Sequence, residues 1–240
     1  MQFNPRFQYE KLKRIETNGN RLYETPAGAV PSVTTILDKT SDKIHLIEWR
    51  KRVGEEQANQ ISKEASGLGT LMHTHLEYHV LGKDRPKGNN LVQEMARNMA
   101  DTMIRDAFPF IEEVWGIEAS LYYPGLYAGT TDMVGVHQGK PSIIDHKTSN
   151  KPKKKEWIEN YFLQTCAYAL AHNDVHGTDI NKCVINIVDR NANLQSFIIE
   201  GSEFEHYAEL WTKRVEQYYS IDKYSYYGRN NYSNPTSKAR

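Results

Sequence analysis

Asp132, Asp145 and Lys147 are the residues whose types and spacing could do chemistry. Asp145 and Lys147 close an apolar run, Ser142-Ile143-Ile144-Asp145-His146-Lys147-Thr148-Ser149. Residues two apart on a strand point the same way, so such a run delivers a carboxylate and an ammonium side by side at its end. Asp132 ends Gly129-Thr130-Thr131-Asp132, and the interval to Asp145, across Gly139, is that of two adjacent antiparallel strands. Two carboxylates can hold Mg²⁺ while a lysine steadies a nucleophilic water or the charge of a phosphorane. That is the minimal equipment for metal-assisted hydrolysis of a phosphodiester.

Other residues extend this group. Gly69-Thr70-Leu71-Met72-His73 sets His73 into the first turn of a helix, beside a glycine that permits close approach. Glu118 opens the first strand of a β-region. Gln164 and Tyr168 lie one helical turn apart on the same face, a surface suited to gripping a phosphate or a base. Four lysines fall between Lys151 and Lys155, directly after the Asp-x-Lys strand, where they can contact phosphate. Glu77, a turn beyond His73, is a further candidate for the site, its plainer reading being a helix-surface residue.

The elements that must position these residues follow from periodicity. Residues 1–30 form an arm with a short hairpin around Asn18-Gly19-Asn20. Pro31-Ser32-Val33-Thr34-Thr35-Ile36-Leu37 starts a helix with an N-cap residue. Helical patterns follow over 43–63, 69–81 and 90–108, the first two separated by Gly67 and Gly69. From Trp115 the period changes, giving strands over 117–123, 127–136 and 141–147. A helix over 157–172, strands over 183–188 and 196–199, and a closing helix over 203–219 complete a mixed α/β domain. The expected division is an arm at 1–30, one domain at 31–220 (helical to 114, α/β from 115) and a flexible tail at 221–240.

Composition adds bounds. The 240 residues suffice for one sizeable core, and 30 basic against 30 acidic residues leave no global charge argument for a nucleic-acid partner. Two cysteines, Cys166 and Cys183, suit buried thiols in a reducing compartment, and no run reaches the ~20 apolar residues of a membrane span. The absence of a secretory signal pattern leads to a soluble, cytoplasmic protein, bacterial or phage-encoded in the host cytoplasm.

In this order, Gly-x-x-x-His, Glu, Gly-x-x-Asp, Asp-x-Lys and Gln-x-x-x-Tyr resemble the RecB-type branch of the PD-(D/E)XK nuclease superfamily. More narrowly, Pro31–Leu37 and Ile144-Asp145-His146-Lys147-Thr148-Ser149 with Lys151-Pro152-Lys153 resemble the mitochondrial genome maintenance exonucleases and their phage relatives. The resemblance covers roughly residues 30–220. It implies a restriction-endonuclease-like core, a mixed central sheet flanked by helices, preceded by a helical arch region over 32–110 through which a single strand threads. It also implies a monomeric Mg²⁺- or Mn²⁺-dependent deoxyribonuclease cutting single-stranded DNA from free ends, flaps included. His73, Asp132, Asp145 and the His146 carbonyl would bind the ion, Lys147 would orient the attacking water, and Glu118 would support the metal or its waters. Thr148, Ser149, Lys151, Lys153, Gln164 and Tyr168 would contact DNA. The middle residue of Asp-x-Lys is His146 here, and its side chain is expected to point away from the metal.

The competing reading is a non-catalytic single-strand-binding module on the same fold, for which Asp132, Asp145 and Lys147 would be unneeded. An iron–sulfur nuclease is excluded, because its cluster requires four cysteine ligands and the chain has two. His75 and His79 lack the glutamate directly after the first histidine that a zinc protease requires.

Overall fold

The computed structural model describes residues 1–17 and 20–230, the side chains of 222–230 excepted. Its centre is a six-stranded sheet made of β1 (Gln2–Phe3), β5 (Ile111–Tyr123), β6 (Tyr127–His137), β7 (Lys140–Ser149), β8 (Lys182–Asp189) and β9 (Leu194–Glu200). They lie side by side in that order. The pairs β5–β6, β6–β7 and β8–β9 are antiparallel, whereas β7–β8 is parallel. A parallel pair needs a crossover, here supplied by helix α5 (Glu159–His176). β8 is buried along its whole length, as a strand covered on both faces must be.

Helices α3 (Glu55–Val80) and α4 (Leu91–Asp106) cover one face, where Met72, Leu76, Met99 and Met103 pack on Met133, Ile144 and Val184. Helices α1 (Val33–Thr40), α5 and α6 (Ser202–Asn230) cover the other, with Ile36, Phe162, Cys166 and Trp211 on Val134, Ile143 and Ile185. Both cysteines are buried and free. The mixed α/β core with its sheet between two helical layers is the expected one. No helix among the described residues is long and apolar enough to cross a membrane.

Three elements differ from the periodicity. Residues 1–30 hold more than an arm with one hairpin: β2 (Lys13–Thr17), β3 (Asn20–Thr25) and β4 (Gly28–Pro31) form a separate antiparallel sheet. The hairpin is present as the β2–β3 pair, but its turn residues 18–19 lie outside the described residues. Second, α3 runs unbroken through Gly67 and Gly69, so His73 sits well inside a long helix and not in a first turn. The break falls at Gly54, whose φ of 86° few other residues tolerate and which separates α3 from α2 (Ile44–Val53). Third, α6 continues to Asn230; the tail expected over 221–240 falls outside the described residues beyond that point.

Candidate metal centre and nucleic-acid cleft

The sheet forks where the sequence places its carboxylates. β6 and β7 pair only between Met133↔Ile144 and His137↔Lys140. Beyond Met133 the strand β6 stays with β5, and beyond Ile144 the strand β7 stays with β8. Asp132 therefore ends up on one prong and Asp145, His146 and Lys147 on the other. One bond bridges the opening: the His146 amide donates to Asp132 Oδ2 at 2.7 Å, a side-chain carboxylate doing the work of a lost ladder carbonyl.

Glu118 does not open β5 but lies inside it, with φ 47°. Positive φ is costly for a glutamate, of order 1–3 kcal/mol. The packing shows what this kink does. Ile117 packs with the α3/α4 layer, yet Ala119, two residues on, packs with the opposite layer. The strand exchanges its faces at Glu118, which leaves that carboxyl at the fork beside Asp132.

His73 descends from α3 onto the same point. Its Nδ1 is 3.6 Å from Asp132 Oδ1 and 3.8 Å from Glu118 Oε1. The donor atoms of His73, Glu118 and Asp132 all lie within 4.8 Å of one another. On the other prong Lys147 Nζ is 2.8 and 2.6 Å from the two oxygens of Asp145. It also lies 5.3 Å over the Tyr161 ring of α5. Asp145 is 1% exposed, and its Oδ2 accepts no well-directed hydrogen bond.

The charges are strained accordingly. Burial raises the Asp145 carboxyl to about 6; Lys147 pulls the other way, while Asp132 adds to the rise. Burial would raise Asp132 too, but His73, Lys147 and the His146 amide outweigh it and hold the carboxyl below its ordinary range. Glu118 is raised by desolvation and by the Asp132 charge, an effect screened by solvent at a side chain 42% exposed. Burial opposes the Lys147 ammonium, yet Asp145 and Asp132 raise it well above the ordinary lysine value. The His146 ring is buried, lies against Phe108 with centroids 5.6 Å apart, and is pushed down to about 4 by burial. Its side chain packs into the α4 side of the sheet and away from Asp145 and Lys147.

These groups open into a cleft of about 680 Å³. One imidazole nitrogen and several carboxylate oxygens, some with free lone pairs, fit a divalent cation of the oxygen-preferring kind. His73, Glu118 and Asp132 are brought together as one donor set; Asp145 stands outside it, turned to Lys147.

The remaining candidate residues are placed unevenly. Thr148 lines the cleft, and Ser149 is buried, its hydroxyl donating to the Lys151 carbonyl at 2.7 Å. The Lys153 backbone is clasped by the Gln195 side chain, which accepts from its N–H at 2.7 Å and donates to its carbonyl at 3.0 Å. That fixes the basic loop to β9 with Lys151 exposed. Gln164 Nε2 donates to the Tyr168 hydroxyl at 3.3 Å. Tyr168 itself is only 3% exposed and lies under Gly129, where a Cβ would come within 2.8 Å of its ring. The exposed tyrosine platform for a base is therefore not there; the ring belongs to the core, and Gln164 is the half-exposed member of the pair. Gly69 is likewise not forced by contact, since a Cβ there would meet Thr148 Oγ1 at an ordinary 3.7 Å.

Sequence reasoning missed Arg21, which enters the cleft from β3, and Ser66, Thr70 and Thr74, which line it along α3. Glu77 also faces the cleft and not merely solvent. The three α3 hydroxyls fall at spacings of four from one another, a signal available in the sequence; nothing local connects Arg21 to the site.

No protein-family model matches the chain. Among curated proteins it is similar to mitochondrial genome maintenance exonuclease 1 from Xenopus tropicalis, 25% identical over 210 residues covering 80% of this chain and 58% of the relative. The protein of the same name from Mus musculus is 28% identical over 205 residues, covering 79% and 59%. The chain thus spans under three fifths of the length of these relatives. Among solved structures, a candidate exonuclease from Eubacterium rectale overlaps 74% of this chain and 77% of its own at 12% identity and a TM-score of 0.49. The resemblance read from the motifs is therefore met by a sequence similarity to the mitochondrial genome maintenance exonucleases that extends over four fifths of the chain.

Proposed function

We propose that the chain is a divalent-metal-dependent deoxyribonuclease that hydrolyses phosphodiester bonds of single-stranded DNA from free ends, flaps included. The observation that carries this reading is the fork, with His73, Glu118 and Asp132 as one donor set and the Asp145–Lys147 pair on the facing prong. The relatives are named as exonucleases, which supports the same class.

His73, Glu118 and Asp132 would hold Mg²⁺ or Mn²⁺, with Asp145 from the facing prong and the His146 carbonyl as further ligands. When bound, the cation supplies charge for the phosphate oxygens and lowers the cost of ionising a water. The protein's own groups account for the rest. Lys147, held protonated by its two carboxylates, is no general base. It orients the water through an N–H and stabilises the negative charge that grows on the phosphoryl oxygens. The water oxygen forms the new P–O bond, the P–O bond to the leaving sugar oxygen breaks, and the water proton passes to solvent or to the leaving oxygen. Asp145, beside Lys147, fixes the ammonium in place. Thr148, Gln164 and the loop of Lys151 and Lys153 would guide the strand.

The deciding assay uses end-labelled linear single-stranded, circular single-stranded, duplex and flapped DNA, with Mg²⁺, Mn²⁺ or EDTA. Metal-dependent loss of linear strands and flaps is expected. A chain that binds strands and cuts none, in any metal, would instead be the single-strand-binding module.

A further inference from the structure

The motif Pro31–Leu37 has no part in the chemistry above, yet its hydroxyls are spent in one place. Ser32 caps α1, accepting from the Thr35 amide at 2.9 Å, and its hydroxyl meets Thr35 Oγ1 at 2.8 Å. Both residues are buried. Together they grip the backbone of Arg21: the Ser32 amide donates to the Arg21 carbonyl at 2.9 Å, and Thr35 Oγ1 donates to that carbonyl at 3.2 Å. The same hydroxyl oxygen accepts from the Arg21 amide at 3.3 Å. A strand residue held at both its N–H and its C=O by a capped helix is fixed in position.

The side chain so fixed is unusual in its partners. Arg21 lines the cleft that holds His73, Glu118 and Asp132, and also a smaller cavity of about 240 Å³ lined by Thr34 and Thr35 and by Glu16, Asn20 and Asp38. Among the described residues its guanidinium makes no hydrogen bond and no ion pair within 4 Å, although its charge is felt by Glu16. Glu16, opposite it in the β2–β3 ladder, is taken by Arg14. Among the described residues, Arg21 is the one arginine lining the main cleft, where Lys147 and two histidines are the other basic side chains. A guanidinium offers five donors in a planar fork that matches two phosphate oxygens, so a fixed and unpartnered one at the edge of a cation site is set to receive a phosphate.

We infer that Arg21 binds the phosphate next to the scissile one, and that the Pro31–Leu37 motif is the clamp that positions it, so that the strand leaves the metal centre along the cavity beside Thr34 and Thr35. This rests on the nuclease reading and adds to it a contact and a path. Arg21 contacts substrate; Ser32 and Thr35 act through it.

The test measures binding of a labelled single-stranded oligonucleotide to the full chain over a series of salt concentrations, in an Asp145→Asn background that does not cut. Arg21→Gln should weaken binding about tenfold and lower the slope of log K against log salt by about 0.7, the share of one phosphate contact on a single strand. Arg21→Lys should keep the slope and recover part of the affinity. Thr35→Val, which removes the hydroxyl that holds both the N–H and the carbonyl of Arg21, should weaken binding while the Mn²⁺ titration midpoint stays at that of the Asp145→Asn background. Unchanged affinity and slope in Arg21→Gln overturn the inference. So does tighter Mn²⁺ binding with an unchanged slope, which would make Arg21 a mere counter-charge to the acids. If the wild-type chain neither binds nor cuts DNA, the nuclease reading fails first; if it does both and Arg21→Gln matches it throughout, only the role of Arg21 falls.

Discussion

At the scale of single residues, the site is a set of carboxyls held in opposed states. Asp132 is kept ionised by His73, Lys147 and the His146 amide, while burial and the Asp132 charge push Asp145 up to about 6. The consequence for pH can be worked out. Between the ordinary aspartate value and about 6, the folded protein holds a proton on Asp145 that the unfolded chain has released. Stability from this group is therefore present below that window and lost as pH rises through it. A cation competes for the same oxygens, so it binds poorly at pH 5 and well at pH 7.5. At a hundred times its dissociation constant it should add about 2.7 kcal/mol of stability at pH 7.5. Melting curves with and without Mn²⁺ at the two pH values test this, and equal shifts at both would remove the carboxyls from the metal site. Asp145→Asn and Lys147→Ala should each cost on the order of a thousandfold or more in cleavage rate while leaving strand binding largely intact, since a lost charge at such a centre is worth several kcal/mol. Single-turnover rates would show it. His73→Ala should raise the Mn²⁺ requirement; a wild-type titration curve with a normal melting temperature would make His73 a plain helix residue.

At the scale of elements, the glycines separate what packing demands from what it merely permits. A Cβ on Gly135 would come within 2.1 Å of the Glu113 carbonyl oxygen across the β5–β6 ladder, where no side chain can yield. Gly135→Ala should therefore destabilise at or above the upper end of the ~1–3 kcal/mol usual for overpacking. Gly67, inside α3, has nothing within 4 Å, so Gly67→Ala should stabilise by about 0.5–1 kcal/mol through helix propensity. Urea midpoints of the two variants should move in opposite directions. Gly67 and Gly69 also show why part of the fold was not legible from the chain alone. Their local cost suggested a break in the helix, but packing of Leu68, Met72 and Leu76 against α4 and the sheet holds α3 together across them. By contrast, the strands of the core were legible because a strand covered on both faces reads as a short apolar run, as in β7 and β8. Asp132, Asp145 and Lys147 were legible because a charge at the end of an apolar strand is conspicuous. The N-terminal sheet was not, being short, mostly exposed and polar, and with it went Arg21. The burial of Tyr168 was hidden too, since a helix covered by both a sheet and α6 carries no polar face to set its apolar one against.

At the scale of the whole molecule, the cleft draws its walls from distant parts of the chain: β3, α3, β5, β6 and β7. The helical stretch before the sheet is unevenly anchored, for α2 buries no residue and the first half of α3 buries only Ala58. These segments are largely exposed, and we propose that they close over a strand that enters the cleft. If a strand must thread beneath them, a free end is required. Linear strands and flaps should then be degraded, circular single strands should persist and duplex should be cut slowly. Rapid loss of circles on a gel would mean that the strand enters from the side.

The fork in the sheet also supplies its own reporter. The His146 amide hydrogen bridges the two prongs, and its acceptor is a carboxylate placed among the metal donors. In the NMR spectrum of the amide protons, this single resonance should therefore shift when a divalent cation is added, while its neighbours Ile143 and Ile144, bonded into ordinary ladders, stay near their positions. Its protection against exchange with deuterium, referred to the intrinsic rate at each pH, should likewise fall on acidification as Asp132 is neutralised, making one backbone hydrogen a spectroscopic gauge of whether the centre is charged, loaded or open.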